Sequence, residues 1–405
     1  MVSGTARIIM TPDTLSQRTI VFVNIAHAFD HFVLLIYPTA VIVIASEWGL
    51  EYSTLIALAT GAFVAFGVCS LPMGWLADRY GRRNMMLVFF IGYGASCLGL
   101  ASAGTANQIF WWLLVLGIMS AIYHPVGSAM LVTHARSLGK TLGWNGAIGN
   151  LGAAVAAGVT AAIATTLGWR MAFILPGSLC IGVGLIFWLL VPHDGQHNDR
   201  DKGNNAAIKV HRPGVVLGLF AVAIIAGGMT FNMTTIALPK IIDERAGLAL
   251  TLQMTGLIAT GLFLMGAVTQ ILIGRLVDRF DLPAIFVGLS VFQPLGLLLA
   301  ATTQGVFLLI GLVAAMASIY GQVVVNDAIV AKYVSPQFRV KAFSIRYFLG
   351  FTVSGFAVPI IAILHTWGEF PAVLAVTAAF GLFVFAAALM FMHQLRPARF
   401  QSAVR

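Results

Sequence analysis

Residues 53–83 read STLIALATGAFVAFGVCSLPMGWLADRYGRR. The first 25 carry no charge; Asp78, Arg79, Arg82 and Arg83 then follow within six positions. About 20 consecutive apolar residues span a bilayer as a helix. The sudden charge marks where such a helix meets water. Working outward from this stretch, eleven more runs of the same kind appear, at 19–45, 85–104, 108–133, 141–166, 170–191, 214–238, 252–277, 283–302, 305–330, 342–365 and 370–393. The chain is predicted to be an all-α integral membrane protein with twelve transmembrane helices.

Composition agrees. The 405 residues are 59% hydrophobic and only 9% charged, with a mean hydropathy of +0.94. Soluble domains carry roughly 25% charged residues, so this much apolar surface excludes a water-soluble single-core protein. The 42 glycines suit close packing of membrane helices. Cys69, Cys97 and Cys180 lie inside apolar runs, without metal spacing or a disulfide framework. The run at 19–45 exceeds the 7–15 residues of a signal-peptide core and reads as the first spanning helix.

The net charge of +9 reflects topology rather than nucleic acid. With the N-terminus placed in the cytoplasm, 19 of the 23 basic residues fall in inner segments. The outer loops hold three, Arg170, Lys240 and Arg245, and Arg346 lies inside the eleventh helix. Excess Lys and Arg marks cytoplasmic loops, so both termini are expected inside, in the inner cell membrane. The hydrophilic stretch 193–213 divides the chain into halves 1–192 and 214–405 and reads as a cytoplasmic linker. The halves repeat: Gly274-Arg275-Leu276-Val277-Asp278-Arg279-Phe280 matches Gly74-Trp75-Leu76-Ala77-Asp78-Arg79-Tyr80 at four of seven positions, 200 residues apart. Parallel six-helix repeats are a transporter arrangement.

Gly74-x-Leu76-x-Asp78-Arg79-x-Gly81-Arg82-Arg83 resembles the loop 2–3 signature of the major facilitator superfamily, and 274–280 its degenerate second copy. The resemblance implies two pseudo-symmetric six-helix bundles. It also implies a gating network of Gly74, Asp78, Arg79, Gly81, Arg82, Asp278 and Arg279, joined here by Asp327, that holds one conformation and breaks in the other. A narrower resemblance runs to the fosmidomycin-resistance-type exporters. It rests on Ser120–Ser128 (SAIYHPVGS), on a first helix with His, Asp and then Tyr37-Pro38, and on the Gly/Asn-rich stretch 143–158. The fifth helix lacks the Gly-Pro pair of many drug antiporters.

Ionisable groups inside a membrane cost about 2.5–3.5 kcal/mol on insertion scales and usually face a cavity. Helix one carries Asn24, His27, Asp30 and His31, which helical spacing gathers on one stripe. Histidine titrates near physiological pH, so this group is expected to exchange a proton. His124, beside Pro125 in helix four, is expected to touch substrate or proton. The second half adds Asn232, Tyr320, Gln322 and Arg346, the last positioned to pair with Asp327 or to grip an organic anion. His27-x-x-Asp30-His31 also has metal-ligand spacing, with His124 as a further ligand. The main reading assigns no metal or cofactor.

No phosphate-binding Gly-x-x-x-x-Gly-Lys sequence and no nucleophile–base arrangement stands out. The expected function is secondary active transport of a small organic solute by alternating access, as proton-coupled efflux. Proton-coupled uptake of an organic anion such as a carboxylate is the alternative. Divalent metal transport, or a non-transporting sensor or assembly factor, stands behind both. The expected partners are a small-molecule substrate, protons and lipid, without nucleic acid, in a monomer.

Overall fold

The computed structural model describes residues 12–50, 52–192, 212–247 and 252–402. The expected linker lies outside the described residues as far as residue 211, as do Arg7, Arg200, Lys202, Lys209 and Arg405.

The described chain is helical almost throughout. In the first half the helices are α1 (Pro12–Leu34), α2 (Ile36–Trp48), α3 (Tyr52–Ile56), α4 (Ala59–Tyr80), α5 (Arg82–Ser102), α6 (Ala106–Ser120), α7 (Tyr123–His134), α8 (Leu138–Leu167) and α9 (Trp169–Leu190). The second half holds α10 (Pro213–Arg245), α11 (Leu252–Arg279), α12 (Leu282–Thr302), α13 (Gly305–Tyr333), α14 (Arg339–Thr352) and α15 (Ser354–Ser402). Non-helical backbone at Gly368 and Glu369 divides α15 in two. Among the described residues, eleven helices are long and apolar enough to cross a membrane. The expected run 342–365 is shared between α14 and the first part of α15. With it the fold has the twelve-helix architecture read from the sequence.

Several spans are broken, and proline explains two of the breaks. Proline cannot donate to the carbonyl four residues back and its ring crowds that carbonyl. Pro38 acts on Leu34, where α1 ends, and Pro125 acts on Ala121, between α6 and α7. These breaks lie next to His31 and His124.

Large apolar side chains cover the outside, with Trp367 80% and Leu189 72% exposed, as expected where lipid replaces water. Inside the first half α1 packs on α8, and α5 on α9; inside the second, α10 packs on α15, and α12 on α13. The halves meet through α4 on α14 and α8 on α11. Both seams are held by glycine at the repeated motif. A Cβ on Gly74 would fall 1.8 Å from Ser344 Oγ, and one on Gly274 would fall 2.3 Å from the Gly139 carbonyl oxygen. Neither position has room for a side chain.

Candidate functional site

A cavity of about 190 Å³ lies between the halves. Of the residues singled out from sequence, His27, His31, His124, Asn232, Tyr320, Gln322, Asp327 and Arg346 line it. Asn24 and Asp30 sit behind its wall, and the motif residues lie at the far ends of α4 and α11.

The first-half wall is built on α1, α7 and α8. His27 Nδ1 is 2.8 Å from the Asn145 carbonyl oxygen. A carbonyl only accepts, so Nδ1 carries the hydrogen. Neutral His27 then offers its Nε2 lone pair to His31 Nε2–H, 3.1 Å away. The His27 ring stacks on Tyr123 with centroids 4.7 Å apart. Gly149 makes room for it, since a Cβ there would fall 2.5 Å from the imidazole. The Asn145 amide donates to Asn24 Oδ1 and to the Tyr123 hydroxyl, both at 2.9 Å. Asp30 is fully buried. It accepts from Ser120 Oγ at 2.5 Å, and its other oxygen lies 3.3 Å from His124 Nε2. The helix-one stripe therefore splits: His27 and His31 face the cavity, and Asp30 supports His124 from behind.

The second-half wall centres on Arg346 and Asp327. Arg346 Nη1 is 2.8 Å from Asp327 Oδ1, and both side chains are buried. The Tyr347 hydroxyl lies 3.0 Å from Asp327 Oδ1 and 3.0 Å from Ser128 Oγ in the other half. Arg346 Nε is buried without an acceptor. Gln322 donates to Gln293 at 2.6 Å, and the Asn232 amide bonds the Gly228 carbonyl within its own helix. Tyr320 packs against Phe231. Asp327, expected both in the gating network and as a partner of Arg346, lies on the cavity wall beside Arg346.

Near the repeated motif, Asp278 reaches across to α8. It accepts from the backbone N–H groups of Gly139 (2.7 Å) and Lys140 (2.8 Å), and from Ser137 Oγ. An aspartate at a helix N-terminus satisfies its free donors and its dipole. Asp78 Oδ2 instead lies 3.7 Å from Lys341 Nζ of α14. Arg79 rests over Trp75 and Tyr80. Arg82 donates to Thr133 at 2.9 Å, and Arg83 donates to the Val191 and Trp188 carbonyls at the end of α9. Gly81 turns the chain between α4 and α5 at φ 88°, a conformation that favours glycine. Arg279 is exposed in the last turn of α11.

Sequence reasoning passed over Tyr123, Asn145, Asn150 and Gln270 as structural pivots. The Asn150 amide donates to Gln270 Oε1 across the halves at 2.8 Å. These uncharged groups sit in apolar or glycine-rich runs. Their signal was a lone amide inside a run otherwise able to span a membrane.

The Major Facilitator Superfamily model matches residues 20–251 and 220–403. The chain is 29% identical over 213 residues to a probable L-galactonate transporter of Escherichia coli, covering 48% of this chain and 46% of that protein. It is 28% identical over 162 residues to the puromycin resistance protein pur8 of Streptomyces alboniger, covering 39% and 31%. It is 23% identical over 172 residues to a gallate transporter of Pseudomonas putida, covering 42% and 38%. The matched stretches thus span less than half the length of these relatives. Among solved structures, the Escherichia coli fucose:proton symporter superposes with a TM-score of 0.70 at 13% identity, covering 94% of this chain and 98% of that one. A human organic anion transporter superposes with a TM-score of 0.74 at 15% identity, covering 94% and 100%. These show the same fold. The family match over nearly the whole chain, the twelve-helix architecture and the repeated loop motif together make this chain a multi-pass membrane protein belonging to the Major Facilitator Superfamily.

Proposed function

We propose that this transporter carries a small organic anion, a carboxylate or a related acid, together with a proton. The observation that carries the reading is Arg346. It is the one Lys or Arg among the residues lining the cavity, it is buried, and its Nε lacks an acceptor. A buried donor without a partner costs about 1–3 kcal/mol, a cost that an arriving carboxylate removes. Guanidinium matches carboxylate geometry with two parallel bonds. Two of the relatives named above, for galactonate and gallate, bear the names of carboxylates.

Charge balance supplies the coupling. Arg346 and Asp327 together are neutral. A substrate carboxylate on Arg346 leaves one net negative charge in a buried site, which is costly. Protonation of Asp327 restores neutrality, so anion and proton enter together. Tyr347 lies between Asp327 and Ser128 of the other half. Asp327 also faces the imidazole of His124 through the Tyr347 ring, which packs on it with centroids 4.7 Å apart. The pair is thereby tied to the arrangement of the halves.

On this reading halves 1–192 and 214–405 rock about the cavity, joined by the linker 193–213. The contacts at Gly74, Gly274, Asp78 and Asp278 close the cytoplasmic side, with both termini inside and the protein in the inner membrane. Efflux is the second reading, supported by the puromycin-resistance relative. A cavity near 190 Å³ is small beside the roughly 300–1,000 Å³ of drug-sized pockets, which favours a small metabolite. Counterflow in proteoliposomes against a panel of sugar acids, aromatic acids and sulfonates tests the substrate class. Uptake of a member of that panel, lost in Arg346→Gln, is expected. Transport of neutral solutes alone would overturn it.

A further inference from the structure

Three imidazoles converge at one corner of the cavity, His27 and His31 from α1 and His124 from α7. Each offers one nitrogen, and those nitrogens all lie within 4.8 Å of one another. We infer that these three histidines form a binding site for one divalent transition-metal ion of the zinc class, with its fourth position open to the cavity.

Geometry is the first argument. Zinc binds imidazole nitrogen at about 2.0–2.1 Å, so tetrahedral ligands stand about 3.3 Å apart. His27 Nε2 and His31 Nε2 are already 3.1 Å apart. Only His124 has to close in, and it stands just after the Pro125-imposed break between α6 and α7.

Support from behind the ligands is the second argument. Metal-binding histidines almost always donate their other N–H to a carbonyl or carboxylate, which fixes the tautomer. His27 does this: Nδ1 bonds the Asn145 carbonyl at 2.8 Å and leaves the Nε2 lone pair forward. His124 Nε2 lies 3.3 Å from Asp30 Oδ2, a close charge contact rather than a formed hydrogen bond, which leaves Nδ1 for an ion. Asp30 is held in turn by Ser120 Oγ and lies under the site, fully buried. His31 has only to move its proton from Nε2 to Nδ1 to present a lone pair. Three protein ligands with one open place is the pattern of a reactive rather than a closed structural site.

Without an ion, His31 Nε2–H spends its bond on His27 Nε2, and that pair is the only hydrogen bond joining the two rings. An ion replaces one weak neutral bond by three coordinate bonds, keeps the His27–Asn145 bond, and gives the His124 Nε2–H a carboxylate 3.3 Å away to turn to.

The test uses the purified full chain in detergent, first stripped with chelator, then titrated with Co²⁺ in the absence of any organic solute. Nitrogen-ligated tetrahedral Co²⁺ gives an intense visible absorption that the octahedral aqueous ion lacks. One tight equivalent with that spectrum, displaced by Zn²⁺, is expected. Its affinity should fall at least tenfold in His31→Gln and in His124→Gln, with the metal-free thermal midpoints of both variants kept. X-ray absorption on the zinc-loaded wild type should give three imidazole nitrogens at about 2.0–2.1 Å, and this reading survives even if a variant fails to fold. An octahedral spectrum, no saturable equivalent, or binding unchanged in both variants would overturn the inference. The readout is metal binding alone, so it is independent of whether organic anions are transported.

Discussion

Replacing Arg346 by glutamine strips Asp327 of its charge partner in a buried site. The two side chains are 8% and 12% exposed, and the contact is 2.8 Å. Removing one member of a buried pair costs roughly 3–5 kcal/mol because the other charge is left behind. Asp327 keeps the Tyr347 hydroxyl at 3.0 Å, so the lower end, about 3 kcal/mol, is expected. Asp327→Asn alone leaves Arg346 buried beside an amide that still accepts a hydrogen bond, at about 2 kcal/mol by the same reasoning. The double variant carries no buried charge there and should cost about 2 kcal/mol rather than the sum of the two. The coupling is then about 3 kcal/mol, at the top of the range seen for neighbouring groups. Equilibrium unfolding in mixed micelles, followed by Trp fluorescence, measures all four corners of the cycle. Additive losses, with coupling under about 0.5 kcal/mol, would refute the buried-pair account and with it the charge balance that couples proton to anion.

Other consequences follow from the same geometry. Gly274→Ala puts a Cβ 2.3 Å from the Gly139 carbonyl oxygen. Overpacking of about 1–3 kcal/mol should open the seam between α8 and α11, seen as faster thiol labelling of a reporter cysteine in place of Lys140; unchanged labelling would count against the close approach. Asp278→Asn removes the charge capping α8 and should open the same seam less, by at most the about 1 kcal/mol of a lost cap, whereas Arg279→Gln should open it not at all. Tyr347→Phe breaks the bridge from Asp327 to Ser128 and should slow anion transport while keeping anion binding measurable by calorimetry. Loss of binding instead would move Tyr347 into direct substrate contact.

The fold was legible because the bilayer imposes it. A run of apolar residues with charge at its ends has one solution, a spanning helix, and the Gly74 and Gly274 copies announced the repeat. The one span that hydropathy described poorly, 342–365, carries Arg346 and is divided near residue 353. The polar stripe on α1 was equally legible as a stripe. What helical spacing could not reveal is depth: Asp30 and His27 share a face within about one turn, yet the Asp30 carboxylate is fully buried against Ser120 while His27 reaches the cavity. Asn145 and Tyr123 stayed hidden because uncharged polar groups cost little in a sequence count, and their importance comes from partners 121 and 22 residues away.

The central claim is that one organic anion and one proton cross together through the Arg346–Asp327 pair. The most direct test is proteoliposomes holding a pH-sensitive dye, to which a transported carboxylate is added with no imposed pH gradient. The account predicts acidification of the lumen that scales with anion uptake, and its loss in Asp327→Asn with anion exchange retained. Anion uptake with no pH change, or with alkalinisation, in the wild type would contradict it.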